Sequence, residues 1–155
     1  MGQPELDDPR LTVVGLFMEA HEGLTAKFSA QFNGHDLSET EFEVLLRLAR
    51  TPGRRLRMGD LSDQTSLSTS GITRVVDRLE RDGLIARDSC EDDRRGTWAR
   101  ITEPGAERIG AVLPGHLDDV EEWFTGRLEP GQLAALTDAL RVVRDAVHPR
   151  AVAGG

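Results

Sequence analysis

The amino-acid sequence predicts a mainly α fold (α+β) with one small β-hairpin. Apolar residues recur every three or four positions along most of the 155-residue chain, which is the spacing of one helix face. The stretch from Leu84 to Ile101 instead reads as two short strands around a charged loop that contains a glycine. The predicted order is therefore four helices, the hairpin and two further helices.

The first helix is predicted from about Pro9 to Phe32. Asp8 supplies a side-chain acceptor for the N–H groups at its start, Pro9 suits the first turn, and Asn33-Gly34 ends it. Two apolar faces on this helix indicate two packing partners. One face holds Phe17, His21, Leu24, Phe28 and Phe32, and the other holds Val13, Leu16 and Ala20.

The second helix is predicted to begin at a capping box. The Ser38 side chain can accept a backbone N–H bond while Glu41 reaches back, and Thr51-Pro52-Gly53 then stops the helix. The basic segment Arg54–Arg57 follows, and we interpret it as a short strand. The apolar side chains of the second helix are Phe42, Leu45, Leu46 and Leu48.

The middle of the chain predicts a helix-turn-helix followed by a two-stranded wing. A short helix, Gly59–Thr65, precedes a turn, and Ser68 is placed to cap a helix over Thr69–Arg81. Strands are predicted at Leu84–Ser89 and Thr97–Ile101. The second helix of the pair has an apolar face at offsets 0, 3, 4 and 7, formed by Ile72, Val75, Val76 and Leu79.

Two more helices are predicted after Thr102, which is placed as a cap. Pro114 interrupts the apolar stripe of the first of them, so we expect a kink or a break there. Glu129-Pro130-Gly131 separates it from the last helix, which ends at His148. Residues 1–8 and 149–155 are predicted to be flexible tails.

The acidic net charge of −8 is unevenly distributed. Between Arg54 and Arg100 there are 10 arginines against 9 acidic residues, a net charge of +1, which leaves −9 for the rest of the chain. The middle of the chain therefore carries a weak electrostatic signature of phosphate contact.

The composition argues against several other classes of protein. No apolar run approaches the roughly 18 residues of a membrane span, and residues 1–10 lack a signal-peptide pattern, so we expect no membrane partner and a cytoplasmic location. The single cysteine, Cys90, excludes a disulfide framework or a multi-thiolate site. We expect no metal, because the histidines stand singly at His21, His35, His116 and His148. We also expect no cofactor.

The helix over 69–81 has the polar face that a DNA-recognition helix needs. Small hydroxyls allow close approach to the duplex, and arginine can bond guanine or phosphate. The alternative is a short helix pair within an ordinary helical bundle. The outward residues are Ser68, Thr69, Ser70, Thr73, Arg74, Asp77 and Arg78.

Adjacent arginines stand in the predicted wing loop. Arg94 and Arg95 would lie on a tip narrow enough to enter a minor groove, where the negative potential attracts arginine. Asp93 could fix the side-chain conformation of Arg95, and Gly96 would permit the tight turn. The alternative is a solvated hairpin in which acids and arginines neutralise each other.

The run from Leu61 to Thr102 resembles the winged helix-turn-helix of the MarR (multiple antibiotic resistance regulator) family. The matching motifs are SLSTSGITRVVDRLERDGLI and the wing pattern Asp93-x-Arg95-x-x-x-Ala99-x-Ile101-Thr102, in which Ala99 is smaller than the family's usual aliphatic residue. The helices on either side match in order and length, so the similarity covers roughly Leu11 to Val147.

This resemblance implies a homodimeric transcription regulator, usually a repressor, that binds double-stranded DNA. Residues 9–33 and 103–148 would form a helical dimerisation region and residues 38–102 a DNA-binding lobe, although the apolar stripes could also form an ordinary monomer core. Two recognition helices about 34–36 Å apart imply a pseudo-palindromic operator. Roles in base reading or in contacts to nearby phosphates would fall to Ser68, Thr69, Ser70, Thr73 and Arg74. Arg78 and Arg94 would contact the phosphate backbone of the DNA. Arg95 would enter the minor groove, and Asp93 would orient Arg95.

Members of this family often respond to small phenolic or lipophilic effectors bound between the two regions. Phe17, His21 and Phe42 are our candidates for that junction, with His21 as a polar anchor; the alternative is that they are core and interface residues. The family's peroxide-sensing chemistry needs a cysteine in the first helix and tyrosine partners, and this chain has no tyrosine.

Two other functional classes compete with this interpretation. An enzyme is disfavoured because the chain has no glycine-rich phosphate loop, no metal-binding histidine pair and no nucleophile elbow. A dimeric protein-interaction module that has lost DNA binding stays open, because the net charge is acidic.

Overall fold

The computed structural model of the chain describes residues 6–65, 67–89 and 96–151. Six α helices and three short strands make up this part of the chain. The helices are α1 Pro9–Asn33, α2 Glu39–Arg50, α3 Met58–Thr65, α4 Thr69–Arg81, α5 Glu103–Trp123 and α6 Pro130–Val147. The strands are β1 Arg55–Arg57, β2 Ile85–Ser89 and β3 Thr97–Ile101.

The caps predicted from the sequence are confirmed. The Asp8 carboxylate accepts a bond from the backbone N–H of Arg10 at the start of α1. At the start of α2, the backbone N–H of Ser38 donates to Glu41 Oε2 over 2.8 Å, and the N–H of Glu41 donates to Ser38 Oγ over 3.3 Å. These side chains satisfy N–H groups that have no partner inside the helix, and so they set where each helix begins.

The basic segment before α3 joins the hairpin and makes a three-stranded antiparallel sheet. The strand order is β1-β3-β2, so β3 lies in the centre. Leu56 faces Ala99 across β1 and β3, and Ile85 faces Ile101 across β2 and β3. These four side chains are buried, which places one face of the sheet against the core.

The hydrophobic core lies in the DNA-binding lobe predicted at residues 38–102 and in the helix segments next to it. The only buried residue of α1 is Phe32, and α6 has none. The core includes Phe42, Val44, Leu45, Leu48, Leu61, Ile72, Val76, Leu79, Ile109 and Val112.

The terminal helices instead carry a large exposed apolar surface within the single chain. Side chains of this kind are costly to leave in water when they are contiguous. Those on α1 are Leu11, Val13, Val14, Leu16, Phe17 and Met18; those on α5 are Leu117 and Trp123; those on α6 are Leu140, Val142, Val143 and Val147.

The break considered at Pro114 is wrong, because α5 runs through this residue from Glu103 to Trp123. Proline removes one helical N–H bond, to the carbonyl four residues earlier, and here that residue is the solvent-exposed Gly110. The helix is also held from the side. Gln31 on α1 donates its Nε2–H to the Val112 carbonyl over 3.1 Å.

The segment after α6 contacts α3. Arg150 lies 3.4 Å from a carboxylate oxygen of Asp63 on α3, and Ala151 is buried. These residues belong to the stretch 149–155 that was predicted to be a flexible tail, and residues 152–155 lie outside the described part of the chain.

Across the described ranges, no helix combines the length and apolar character that a bilayer crossing needs.

We predict that Gly105→Ala destabilises the fold, because the start of α5 packs directly on the sheet. A Cβ at this position would lie 2.2 Å from the Leu84 carbonyl oxygen and 2.7 Å from the Ile101 side chain. Overpacking of this kind costs about 1–3 kcal/mol of the free energy of unfolding, and chemical denaturation measures it.

Gly110→Ala on the same helix is the matched control. A Cβ at Gly110 meets no atom within 4 Å, so the change should stabilise the helix by about 0.5–1 kcal/mol. Equal responses of the two variants would contradict the close packing at Gly105.

Candidate nucleic-acid interface

Helix α4 buries one face and exposes the other. Ile72, Val76 and Leu79 are buried in the core. The opposite face presents the residues that the sequence analysis assigned to DNA reading. Exposed on it are Ser68, Thr69, Ser70, Thr73, Arg74 and Arg78.

The first turn of α4 is ordered by its own hydroxyl groups. Ser68 Oγ accepts a 3.0 Å bond from the Gly71 N–H and lies 3.2 Å from Ser70 Oγ. The hydroxyl of Thr73 donates to the Thr69 carbonyl over 2.8 Å. These bonds order the hydroxyl-bearing residues at the exposed start of α4. Their side chains are small and neutral, so they leave this end of the helix open to close approach.

Arg78 has a partner that the helical spacing did not reveal. Its Nε lies 2.9 Å from Oε1 of Glu41, whose side chain is buried. The other Glu41 oxygen accepts bonds from the N–H and hydroxyl of Ser38. Both oxygens of this buried carboxylate therefore have partners: Arg78 balances the charge, and Ser38 donates hydrogen bonds. The carboxylate thereby connects α4 to the N-terminus of α2.

Arg87 on β2 joins the wing strands to α4, a role that no pattern in the sequence predicted. Its guanidinium lies 2.7 Å from Asp77 Oδ1 and 2.6 Å from Glu80 Oε2. Its backbone N–H also donates to Glu80 Oε1 over 3.2 Å. The two carboxylates raise the pKa of Arg87 against the effect of burial. One arginine thus holds two successive turns of α4 against the sheet.

Within the wing, Arg100 on β3 lies 2.9 Å from Asp88 on β2. The strands end at Ser89 and begin again at Thr97, which are paired across the hairpin. Cys90 and the wing residues Asp93, Arg94 and Arg95 lie outside the described residues. Their roles in the wing stay predictions from the sequence.

Phe42 belongs to an aromatic cluster between α1, α2 and α5. Its ring stacks on Phe32 with centroids 4.2 Å apart, and the His116 ring lies 4.9 Å from it. His116 also contacts Phe28 and Phe32, at 4.8 and 5.0 Å. The cluster joins α1 and α5 to α2.

The other two effector candidates lie elsewhere on α1. Phe17 and His21 are exposed in the single chain. Phe17 stands 11 positions before Phe28, or about 16 Å along a helix. The structure does not bring them to Phe42 within one chain. The residue that lies beside Phe42 is instead His116. Nothing in the sequence singled out His116 from the other three isolated histidines.

Two buried polar atoms in this region have no hydrogen-bond partner among the described residues, His116 Nδ1 and Gln31 Oε1. Burial lowers the pKa of His116, and the charge of Asp119 offsets this only in part. His116 therefore favours its neutral form, in which one ring nitrogen donates and the other accepts.

A sequence model described as MarR family matches residues 35–96. The transcriptional regulator MhqR of Bacillus subtilis is 32% identical over 106 residues, which are 68% of this chain and 72% of that protein. AbsC, a MarR family transcriptional regulator from Streptomyces coelicolor, superposes with a TM-score of 0.87 at 30% identity, over 94% of this chain and 98% of AbsC.

The chain belongs to the MarR family. The resemblance seen in Leu61–Thr102 and the winged-helix fold class are thereby confirmed. A second MarR family regulator from Streptomyces coelicolor, Sco3205, was solved in complex with DNA. It has a TM-score of 0.85 and 29% identity, over 96% of this chain and 94% of Sco3205.

Within the described residues of this MarR protein, no group of three or more His, Cys, Asp or Glu side chains is placed to hold a metal ion.

We predict that Glu41→Gln lowers the free energy of unfolding by about 1–3 kcal/mol, because hydrogen bonds to a buried charge are stronger than those to a neutral amide. The affinity for DNA should fall as well, since Arg78 loses its partner. Chemical denaturation and a DNA titration measure the two effects.

Glu43→Gln on the same helix is the control. Glu43 lies 3.6 Å from Arg47 in a half-exposed pair, and burial raises the pKa of its carboxyl group. Removal of this charge should cost about 0.5 kcal/mol or less. If the two variants are equally stable, Glu41 does not hold α4.

Proposed function

We propose that this chain is a homodimeric, sequence-specific DNA-binding transcription regulator that acts as a ligand-responsive repressor. The observation that carries the proposal is the recognition helix: α4 buries its apolar face and exposes a hydroxyl-rich face that also carries Arg74. The DNA complex of the similar Sco3205 supports the choice of duplex DNA as the partner. Such a regulator acts where chromosomal DNA lies, in the cytoplasm.

In this proposal α4 enters the major groove. Ser68, Thr69 and Ser70 lie at its N-terminal turn, where helix N–H groups and hydroxyls favour phosphates and base edges. Thr73 and Arg74 follow on the next turn, and arginine bonds both acceptors of guanine. Arg78 is still 61% exposed beside Glu41, so its remaining donors are placed for a backbone phosphate.

The wing supplies the minor-groove contact. Arg95 enters the groove, Asp93 orients it and Arg94 adds a phosphate contact, as the sequence motif implies. The ion pairs of Arg87 support this assignment, because they fix the wing strands relative to α4 and so define where the loop is presented.

Dimerisation accounts for the exposed apolar surface of the terminal helices. Val13 on α1 is 68% exposed, and Val142 on α6 is 71% exposed. A second copy of the chain would remove this surface from water, and a two-fold dimer would present two α4 helices to successive major grooves. The operator is then a pseudo-palindrome.

Effector binding is proposed at the aromatic cluster of Phe28, Phe32, Phe42 and His116. This cluster is apolar and lies between the terminal helices and the DNA-binding lobe. The unpartnered Nδ1 of His116 and Oε1 of Gln31 offer hydrogen bonds to a small phenolic or lipophilic molecule. Phe17 and His21 lie too far along α1 from the cluster to reach such a molecule within one chain. They contact it only if the partner subunit contributes them.

We predict that Arg74→Ala weakens binding to a cognate duplex by about 1–3 kcal/mol, or roughly 5- to 150-fold, while binding to unrelated DNA changes much less. The duplex is selected by the protein from a random-sequence pool, and fluorescence anisotropy measures the affinities. Arg141→Ala is the control, because it removes the same charge from α6, where Arg141 pairs with Asp138.

A wild-type chain that selects no sequence would contradict the proposed function. That result would favour the alternative, a dimeric protein-interaction module that has lost DNA binding.

We predict that Val142→Glu shifts the chain from dimer to monomer, because the new carboxylate would have to be desolvated in the interface. Sedimentation velocity measures the shift over a range of concentrations. Gln132→Glu adds the same charge to α6 without loss of an apolar side chain, and it should remain dimeric. A wild-type chain that sediments as a monomer at high concentration would contradict the dimer.

A further inference from the structure

Gln31 presents a fixed hydrogen-bond acceptor at the contact between α1 and α5. Its Nε2–H donates to the Val112 carbonyl over 3.1 Å, which sets the orientation of the amide and therefore of Oε1. Helix α5 also approaches this amide closely, since a Cβ at Gly115 would lie 3.0 Å from Gln31 Nε2. Oε1 is buried and has no hydrogen-bond partner among the described residues. An amide oxygen only accepts hydrogen bonds, so the group that satisfies Oε1 must be a donor.

A second unpartnered atom is Nδ1 of His116, which follows Gly115 on α5. This atom is buried, and within the described part of the chain it too lacks a hydrogen-bond partner. The His116 ring lies 4.8 Å from the ring of Phe28, in an edge-to-face arrangement. Phe28 stands three positions before Gln31, and side chains three apart lie on one face of a helix. Gln31 Oε1 and His116 Nδ1 therefore belong to one contact between α1 and α5.

The surroundings of these two atoms are aromatic, and they border the surface of the single chain. Phe32 and Phe42 complete the rings around His116, with centroids 5.0 and 4.9 Å from it. Phe28, Gln31 and His116 are only half-buried. A small aromatic molecule that adds its ring to this cluster therefore brings a polar substituent toward the two unpartnered atoms.

The charges at this contact disfavour an anion. Burial lowers the pKa of His116, so its ring is uncharged near neutral pH and supplies no positive charge. The carboxylate of Asp119, three positions further along α5, adds a negative charge that acts on this ring. An aromatic carboxylate or a phenolate would place a second negative charge near Asp119. It would also leave Gln31 Oε1 without a donor.

An uncharged hydroxyl on an aromatic ring meets both requirements. Its O–H donates to Gln31 Oε1, and its oxygen accepts a bond from His116 Nδ1–H in the tautomer that carries the proton there. A water molecule makes the same bonds, but it has no ring to pack against Phe28. A hydrocarbon packs against the rings but leaves both polar atoms unpaired, which is costly for buried groups.

We propose that this contact is an effector subsite that selects uncharged, hydroxyl-bearing aromatic molecules and excludes aromatic anions. Gln31 requires a donor from the ligand, and His116 positions the hydroxyl oxygen. The inference rests on the effector site in the proposed function. It narrows the phenolic and lipophilic classes to one chemical group in one protonation state.

The test is equilibrium dialysis of the full chain, without DNA, against three matched probes. 4-Nitrophenol, 4-nitroanisole and 4-nitrobenzoate share a ring and a nitro group and differ only in the group opposite. We expect 4-nitrophenol to bind about 5- to 150-fold more tightly than 4-nitroanisole, because the methyl ether has no proton to donate to the buried acceptor. 4-Nitrobenzoate should bind more weakly than 4-nitroanisole, because its charge would have to be desolvated.

The colour of 4-nitrophenol reports its protonation state, because the phenolate is yellow and the phenol is nearly colourless. At a pH where the free probe is mostly phenolate, excess protein should bleach the yellow absorption, since the bound form is the neutral phenol. A yellow band that persists or strengthens on binding would overturn the inference, because the contact would then hold the anion.

Two variants assign the selectivity to its residues. His116→Phe keeps an aromatic ring in the cluster and removes Nδ1, and Gln31→Met removes the acceptor together with the bond to Val112. In each, 4-nitrophenol should lose most of its advantage over 4-nitroanisole. His35→Phe, in the turn between α1 and α2, is the matched control and should leave both affinities unchanged. Circular dichroism checks that each variant folds, and His116→Phe carries the test if Gln31→Met does not.

Equal binding of the three probes, or an advantage of 4-nitrophenol that survives in the folded variants, would overturn the inference. Failure of 4-nitrophenol to bind the wild type would also overturn it and would leave water as the partner of the two atoms. A chain that binds 4-nitrophenol as expected but selects no DNA sequence would instead contradict the proposed function. A chain that selects DNA but fails the dialysis test would contradict the subsite alone.

Discussion

The contact on which the proposed DNA-reading surface depends is the ion pairing of Arg87 with Asp77 and Glu80. A two-stranded hairpin is only marginally stable by itself, so the wing strands depend on the elements they pack against. Arg87 supplies that support through its guanidinium and its backbone N–H, and its side chain is only 23% exposed. Isolated surface pairs contribute little, but one arginine shared by two carboxylates in a partly buried setting restrains α4 and the wing as one unit.

A second buried charge restrains α4 from its other side. Glu41 is 3% exposed, and it bonds both Arg78 and the cap residue Ser38. The next residue, Phe42, stacks in the aromatic cluster with Phe32 and His116. Adjacent residues of α2 thus contact the recognition helix and the proposed effector site. A shift of α2 would be transmitted to both, which gives the proposed regulation a physical route.

The secondary structure was largely predictable because its signals are local. Caps at Asp8, Ser38, Ser68 and Thr102 fixed the starts of four helices within one residue. The pairing of β1 with β3 could not be predicted, because the two strands are more than 40 residues apart in the sequence. The residue pattern of Arg54–Arg57 indicated only a short strand. A break at Pro114 was wrong, because a single lost bond is tolerated where the residue with the freed carbonyl is exposed and the helix is held by a neighbour.

The site was predictable only in part. Helical periodicity identified the exposed face of α4, but it did not show that Arg78 and Asp77 are engaged by Glu41 and Arg87. Such ion pairs join side chains on different elements, and no spacing rule within one helix or strand encodes them. The same reason hid His116, which reaches Phe42 only through the packing of α5 on α1 and α2. The assignments of Asp93, Arg94 and Arg95 still depend on sequence motifs, since these residues lie outside the described part of the chain.

The central claim is that two copies of the chain read one duplex from one side. Hydroxyl-radical footprinting of the wild-type protein on its selected duplex tests this most directly. We expect two protected regions related by a two-fold axis, because the two recognition helices lie about 34–36 Å apart. The minor groove beyond each of these regions should also be protected. A single unsymmetrical protected region, or uniform protection along the duplex, would contradict the account.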